Sequence, residues 1–312
     1  MSILFTFPGQ GAQRAGMLHA LVPMPAARHT LAEASDTLGR DVLELDSGVA
    51  LESSVAVQVA LLVAGVATSR CLVDLAGPPD AVAGLSIGAY PAAVVAGVVS
   101  FADALRLVER RARLMEAAFP GGYGMTAILG LERGPLGALV ALVHSPQSPV
   151  YIANVNAPTQ LVIAGAVDAM ARVAALAQAR GASGIKPIAI KVPSHCPLLD
   201  APAAALALEF AAVPMQPPRM RLYSASAARE LRDPARIADD LACNMARPVL
   251  WHDTTMLAWE RGAGLSIEMP PGNVLTKLAV AALPEDARCA AAADNRIDTL
   301  AVLMTRERER HP

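Results

Sequence analysis

In the stretch Gly84-Leu85-Ser86-Ile87-Gly88, a serine stands two residues from a glycine on either side, where an apolar, strand-like run (Ala81 to Leu85) passes into a helical one. Glycines at these offsets let the strand and helix backbones approach closely, and the tight turn between them exposes the hydroxyl. This is the nucleophile-elbow arrangement. Placed there, Ser86 can attack a carbonyl carbon while the helix N-terminus and the N–H of Ile87 face the charge developing on the carbonyl oxygen. The same residues also fit a glycine-rich helix start with Ser86 as its cap.

A serine nucleophile needs a base, and the histidines are His19, His29, His144, His195, His252 and His311. His195 lies in Val192-Pro193-Ser194-His195-Cys196-Pro197, a loop bounded by two prolines in which a side chain can be held facing a cleft. His252 follows Trp251 at an expected helix start, where a capping or surface role is the better reading. A plain loop histidine remains the alternative for His195. In Phe101 to Phe119, at 100° per residue, Phe101, Ala104, Leu105, Val108, Ala112 and Met115 share a broad apolar face. Arg111 falls inside that face, whereas Arg106, Arg110 and Arg113 lie opposite it. A desolvated guanidinium is costly without an anionic partner. Arg111 is therefore expected either to grip a substrate carboxylate through its planar fork or to form a structural salt bridge or snorkel outward. Lastly, Pro8-Gly9-Gln10-Gly11 ends the first strand-like run in a loop whose N–H groups can hold an oxyanion, although its glycines also suit an ordinary turn.

Those residues need a frame. At 312 residues the chain can bury a large core. Strand-like runs Ile3 to Phe7, Ala81 to Leu85, Arg221 to Ser224 and Leu265 to Glu268 alternate with helical stretches and predict a mostly parallel sheet. From Gly124 to Lys191 the predicted order changes to β-α-β-β-α-β, with strands Met125 to Leu129, Val150 to Val155, Leu161 to Ala164 and Ile185 to Lys191 and helices Pro135 to His144 and Val167 to Arg180. That is the pattern of a ferredoxin-like module. The expected organisation is α/β: a large domain, residues 1–121 and 192–312, with an inserted ferredoxin-like subdomain, residues 122–191, and a site in the cleft between them.

Composition bounds the function. Hydrophobic residues make up 54% of the chain and charged ones 17%, so two apolar stretches have to be tested as membrane spans. Ser53 to Ser69 has only 17 residues between Glu52 and Arg70 and contains Gln58, short of a span of about 20 residues. Ala81 to Ala102 is broken by Gly84, Gly88, Pro91 and Gly97. Both read as buried core. A net charge of -2 with 4% aromatics offers no footprint for nucleic acid or an anionic membrane. Cys71, Cys196, Cys243 and Cys289 are far apart, without metal-ligand spacing, and no secretory leader is visible at the start. The expectation is a cytoplasmic protein without a bound metal.

Taken in order, PGQGAQ (8–13), GLSIG (84–88), RARLM (111–115), NVNAPTQLVIAG (154–165), VPSHC (192–196) and EMPPGNVLT (268–276) resemble the malonyl-CoA:acyl-carrier-protein transacylase family, from Leu4 to about Leu278. The resemblance implies an α/β-hydrolase-like large domain and malonyl transfer from malonyl-CoA to an acyl carrier protein, with no cofactor. It makes Ser86 the acylated nucleophile, His195 its base, Arg111 the clamp for the malonyl carboxylate, and the N–H groups of Gln10 and Ile87 the oxyanion hole. Asn244 takes the place of a family glutamine whose main-chain carbonyl orients the histidine, so its side chain is expected to be free to vary. Leu85 stands where the family usually has histidine, and Pro270 where it has glycine. GLSIGAYPAA, NMARPVLWH and EMPPG look most like the transacylase (epsilon) subunit of bacterial malonate decarboxylase, which implies that complex's carrier subunit as partner. The alternatives are the fatty-acid-synthesis malonyl transacylase, a serine hydrolase or thioesterase with the same elbow, and a non-catalytic scaffold subunit.

Overall fold

The computed structural model describes residues 2–119 and 121–310. Its strands are β1 (Ser2–Phe7), β2 (Ala81–Gly84), β3 (Tyr123–Leu129), β4 (Val150–Ala157), β5 (Gln160–Ala166), β6 (Gly184–Ile188), β7 (Arg221–Ser224), β8 (Arg229–Leu231), β9 (Ala263–Glu268) and β10 (Arg288–Ala291). They form two sheets. The larger has the order β10-β9-β1-β2-β7-β8, parallel throughout except for the β7–β8 hairpin. Helices cover both faces, so β1 and β2 are buried almost end to end, which is why their sequences run apolar without alternation.

The helix Ser54–Ala76 occupies the centre of the large unit against helices Pro25–Leu38, Phe101–Ala118 and Ile297–Arg310. Ser53 starts it by accepting a hydrogen bond from the N–H of Val55, and Gly77, at φ +79°, ends it. It is long and apolar enough to cross a membrane, yet 89% of its most apolar stretch is buried inside the protein's own core. The neighbouring Ala81 to Ala102 run divides into β2, a short 3-10 turn and the helix Ala89–Val95.

The smaller sheet has the order β4-β5-β3-β6, antiparallel at every pairing. Helices Arg133–Val143 and Val167–Ala179 pack on it around Ile128, Leu136, Ile163 and Val173, a core separate from that of the large unit. The two units meet where the N–H of Val155 donates to the carbonyl of Val249 and that of Val249 to the carbonyl of Ala153, each at 2.8 Å.

Most predicted elements differ from the observed ones by one or two residues at an end, and two of the differences have a visible cause. The strand expected over Ile185 to Lys191 ends at Ile188, because its pairing with β3 stops at Met125 and a tight turn from Ile188 to Ile190 diverts the chain toward the cleft. The helix expected over Pro135 to His144 ends at Val143, and the His144 ring turns back to the carbonyl of Val150. β8 and β10, at the two edges of the large sheet, had no strand assigned from sequence. Each is only three or four residues long.

Candidate active site

Ser86 is separated from the end of β2 by Leu85 alone and holds φ at +57°, a left-handed conformation that a non-glycine residue adopts only when its surroundings enforce it. Those surroundings are backbone. A Cβ on Gly84 would overlap the main chain of Gly88 and Ala89, and one on Gly88 would overlap the carbonyls of Phe7 and Pro8. Glycine is thus required on both sides of the serine by close approach, as the elbow reading expects. Ser86 caps no helix. The same contacts press the Pro8–Gln10 loop against the elbow, so that Gln10 and Ile87 both line one cleft.

The cleft encloses about 250 Å³ and is shared by both units: Ser86, Arg111, His195 and Leu275 come from the large one, Met125, Asn154, Asn156 and Gln160 from the small sheet. His195 enters it from the loop after β6, at φ +66° and 3% exposed. Its Nε2 lies 2.8 Å from Ser86 Oγ. Its Nδ1 lies 2.8 Å from the carbonyl oxygen of Asn244 and 3.2 Å from that of Arg247. Carbonyls only accept, so Nδ1 carries the proton and Nε2 presents its lone pair to the serine hydroxyl. The ring is oriented entirely by main chain, and no carboxylate bonds to it among the described residues. That arrangement is unlike the Ser-His-acid constellation of the serine-hydrolase alternative.

Arg111 is 1% exposed. Among the described residues it forms no salt bridge, the alternative weighed for it: its partners are amides, with Nη1 2.6 Å from Gln58 Oε1 and Nη2 3.1 Å from Asn244 Oδ1. Nη2 also lies 3.4 Å from Ser86 Oγ, and Nε has no partner. Nε and Nη2 share one edge of the guanidinium, the edge geometry that binds a carboxylate side-on, and it lies beside the serine with Nε buried and unpartnered among the described residues. By contrast Arg106 pairs with Asp103, Arg110 with Glu209 and Arg113 with Glu109, all toward solvent.

Asn244 does more than its main chain was expected to do. Beyond the carbonyl bond to His195, its Oδ1 accepts from Arg111 and its Nδ2 donates to the Ser86 carbonyl at 3.3 Å. Gln58 was read only as a polar interruption of an apolar stretch; an amide inside an otherwise apolar helix is itself the signal that something polar faces it. His252 lies in the first turn of helix Trp251–Glu260, which Leu250 rather than His252 caps, and its Nδ1 is buried without a partner. Cys196 is buried, donates to the carbonyl of Pro193, and is pushed up to about 12 by desolvation, so it is no nucleophile.

Burial first, and then the Arg111 charge, lower the His195 pKa to about 4 against the two carbonyl bonds that raise it. The base is therefore neutral, as a proton acceptor must be, throughout the neutral range. Between pH 6.5 and about 4 the unfolded chain binds a proton at this position that the native state refuses, so stability rises with pH across that window. We expect the wild type to lose about 3 kcal/mol more than His195→Gln as pH falls from 6.5 to 4, read by denaturant unfolding. Parallel curves for the two proteins would show that His195 titrates normally.

A family model described as an acyl transferase domain matches residues 4–310. The malonyl CoA-acyl carrier protein transacylase of Salmonella typhimurium is 39% identical over 282 residues, covering 88% of this chain and 90% of that protein. The Bacillus subtilis protein of the same name is 32% identical over 281 residues, 88% and 89% of the two chains. Among solved structures, the malonyl CoA-acyl carrier protein transacylase of Coxiella burnetii superposes with a TM-score of 0.92 at 32% identity, covering 98% of each chain. A malonyl-transacylase solved in complex with its type II polyketide acyl-carrier protein gives 0.90 at 33% identity over 99% of this chain and all of that one.

Proposed function

The chain belongs to the acyl transferase family and is an acyltransferase; from that premise we propose that it moves a malonyl group from malonyl-CoA, by way of an ester on Ser86, to the thiol of an acyl carrier protein. The observation that carries this reading is the pairing of a serine–histidine contact of 2.8 Å with a buried, carboxylate-free guanidinium edge 3.4 Å from the same hydroxyl. His195 Nε2 takes the Ser86 proton as Oγ attacks the thioester carbon. The N–H groups of Gln10 and Ile87 hold the resulting oxyanion. Collapse expels the CoA thiolate, which receives the proton from the imidazolium. The carrier thiol then gives its proton to His195 and attacks the ester, and the same proton returns to Ser86. Throughout, the Arg111 fork binds the malonyl carboxylate while Gln58 and Asn244 hold its remaining edge. Every step is a proton or acyl transfer supplied by these residues, so the reaction uses no metal or redox cofactor.

The relatives' shared name has an acyl carrier protein as acceptor. This supports the fatty-acid-synthesis alternative over the malonate decarboxylase expectation raised by GLSIGAYPAA, NMARPVLWH and EMPPG. Within the same reading, residues 122–191 form an inserted ferredoxin-like subdomain, supported by its β-α-β-β-α-β order and antiparallel β4-β5-β3-β6 sheet. A cytoplasmic site for the reaction is supported by cysteines that are all free thiols. Transfer from malonyl-CoA is measured side by side to the fatty-acid carrier and to a malonate decarboxylase carrier subunit, since specificity is a difference of two affinities. We expect the fatty-acid carrier to be preferred at least tenfold. Preference for the decarboxylase carrier would overturn that choice, and transfer to neither would overturn the acceptor class.

A further inference from the structure

His195 is held by one short segment. Its N–H donates to the Met245 carbonyl at 2.6 Å, and its Nδ1–H faces the carbonyls of Asn244 and Arg247. Carbonyl oxygens can orient a ring only as firmly as their own backbone is fixed. The segment continues from helix Pro234–Cys243, and the N–H of Asn244 closes that helix on the carbonyl of Asp240. Asp240 is 7% exposed, a burial that raises its carboxyl pKa above the usual range. Burying a carboxylate is costly unless its bonds are fixed and strong. Here Oδ1 accepts from Ser224 Oγ at 2.8 Å and from Ser226 Oγ. Ser224 ends β7 and pairs in register with Gly84 of β2, two residues before Ser86. The connection is therefore closed: from the nucleophile's strand through Ser224 and Asp240 to the turn that carries the carbonyls on His195.

We propose that Asp240 is a positioning residue for the reaction, an acid placed one step further out than in a serine–histidine–acid constellation, which fixes the imidazole by fixing the main chain that holds it. This rests on His195 serving as the base of Ser86. Without the carboxylate, Ser224 and Ser226 lose their common acceptor, and the 244–247 carbonyls can drift by a few tenths of an ångström or more. The Arg111 fork has its own anchor in Gln58, so capture of the malonyl carboxylate is left largely intact. The defect should appear in kcat rather than KM.

The test uses the full chain, with Asp240→Ala, Asp240→Asn and Ser226→Ala compared for malonyl transfer after circular dichroism has established folding. Asp240→Ala is expected to lower kcat on the order of 100-fold with KM for malonyl-CoA within about twofold of wild type, and to remove the downfield Nδ1–H resonance of the oriented imidazole. Asp240→Asn keeps an oxygen able to accept from both serines and should recover most of kcat. Ser226→Ala, which removes one of the two donors, should fall between and serves if Asp240→Ala does not fold. Wild-type kcat in folded Asp240→Ala or in Ser226→Ala, or an Asp240→Asn variant no better than Asp240→Ala, would overturn the proposal. Full transfer by His195→Ala in the same assay would instead overturn the reading of the base on which it rests.

Discussion

Ser86→Ala is expected to abolish transfer and to leave no malonyl adduct on the protein, and His195→Ala to reduce both by about three powers of ten. The two side chains act as one unit: Nε2, 2.8 Å from Oγ, is the base placed to take the hydroxyl proton as it attacks. The double variant should therefore be scarcely worse than Ser86→Ala alone. Intact mass after incubation with malonyl-CoA reads the adduct, and peptide mapping locates it. A malonyl group found at its usual level on another residue of Ser86→Ala would end the mechanism. Folding should survive, since the strained turn at Ser86 is imposed by Gly84 and Gly88 rather than by the hydroxyl.

Arg111→Ala is expected to erase the discrimination between malonyl-CoA and acetyl-CoA. In the wild type a malonyl carboxylate would take charge-assisted hydrogen bonds from the Nε–Nη2 edge. An acetyl group leaves that edge empty in a buried site. Bonds to a charged group contribute about 1.5–3 kcal/mol, so the fork should favour malonyl by roughly 3 kcal/mol, about two powers of ten in kcat/KM. The variant should lose malonyl transfer by that factor while acetyl transfer changes much less. A second readout is independent of the substrate. The Arg111 charge helps to depress His195, so removing it should move the acid limb of acetyl transfer up from about pH 4 toward the ordinary histidine range. An unchanged malonyl-to-acetyl ratio in a folded variant would leave Arg111 a structural residue bound to Gln58 and Asn244.

Much of this site was legible in the sequence because its requirements are local. Gly84 is required by the main chain of Gly88 and Ala89 within the same turn, so GLSIG signals the elbow locally, although the demand for glycine at 88 comes from the carbonyls of Phe7 and Pro8. Helical periodicity was enough to separate Arg111 from Arg106, Arg110 and Arg113, since burial of a helix face depends on spacing alone. The parallel strands announced themselves as apolar runs for a similar reason: both of their faces are covered.

Periodicity, however, says which face is buried and not what it meets. Only the tertiary structure set Gln58 and Asn244, 53 residues before and 133 residues after Arg111, against its guanidinium in place of a carboxylate. The hold of the Asn244 carbonyl on His195 was expected only through the family resemblance, and that of Arg247 not at all, because a main-chain carbonyl belongs to every residue and leaves no mark of its own in the sequence. For the same reason Asp240 passed unnoticed. Its importance lies in hydroxyls at Ser224 and Ser226 that no local pattern connects to it. The edge strands β8 and β10 were likewise decided by neighbours, being too short for their own residues to commit them to a sheet. Sequence specified which atoms could react; long-range packing specified which of them meet, since contacts between distant segments exist only after the core between those segments has formed.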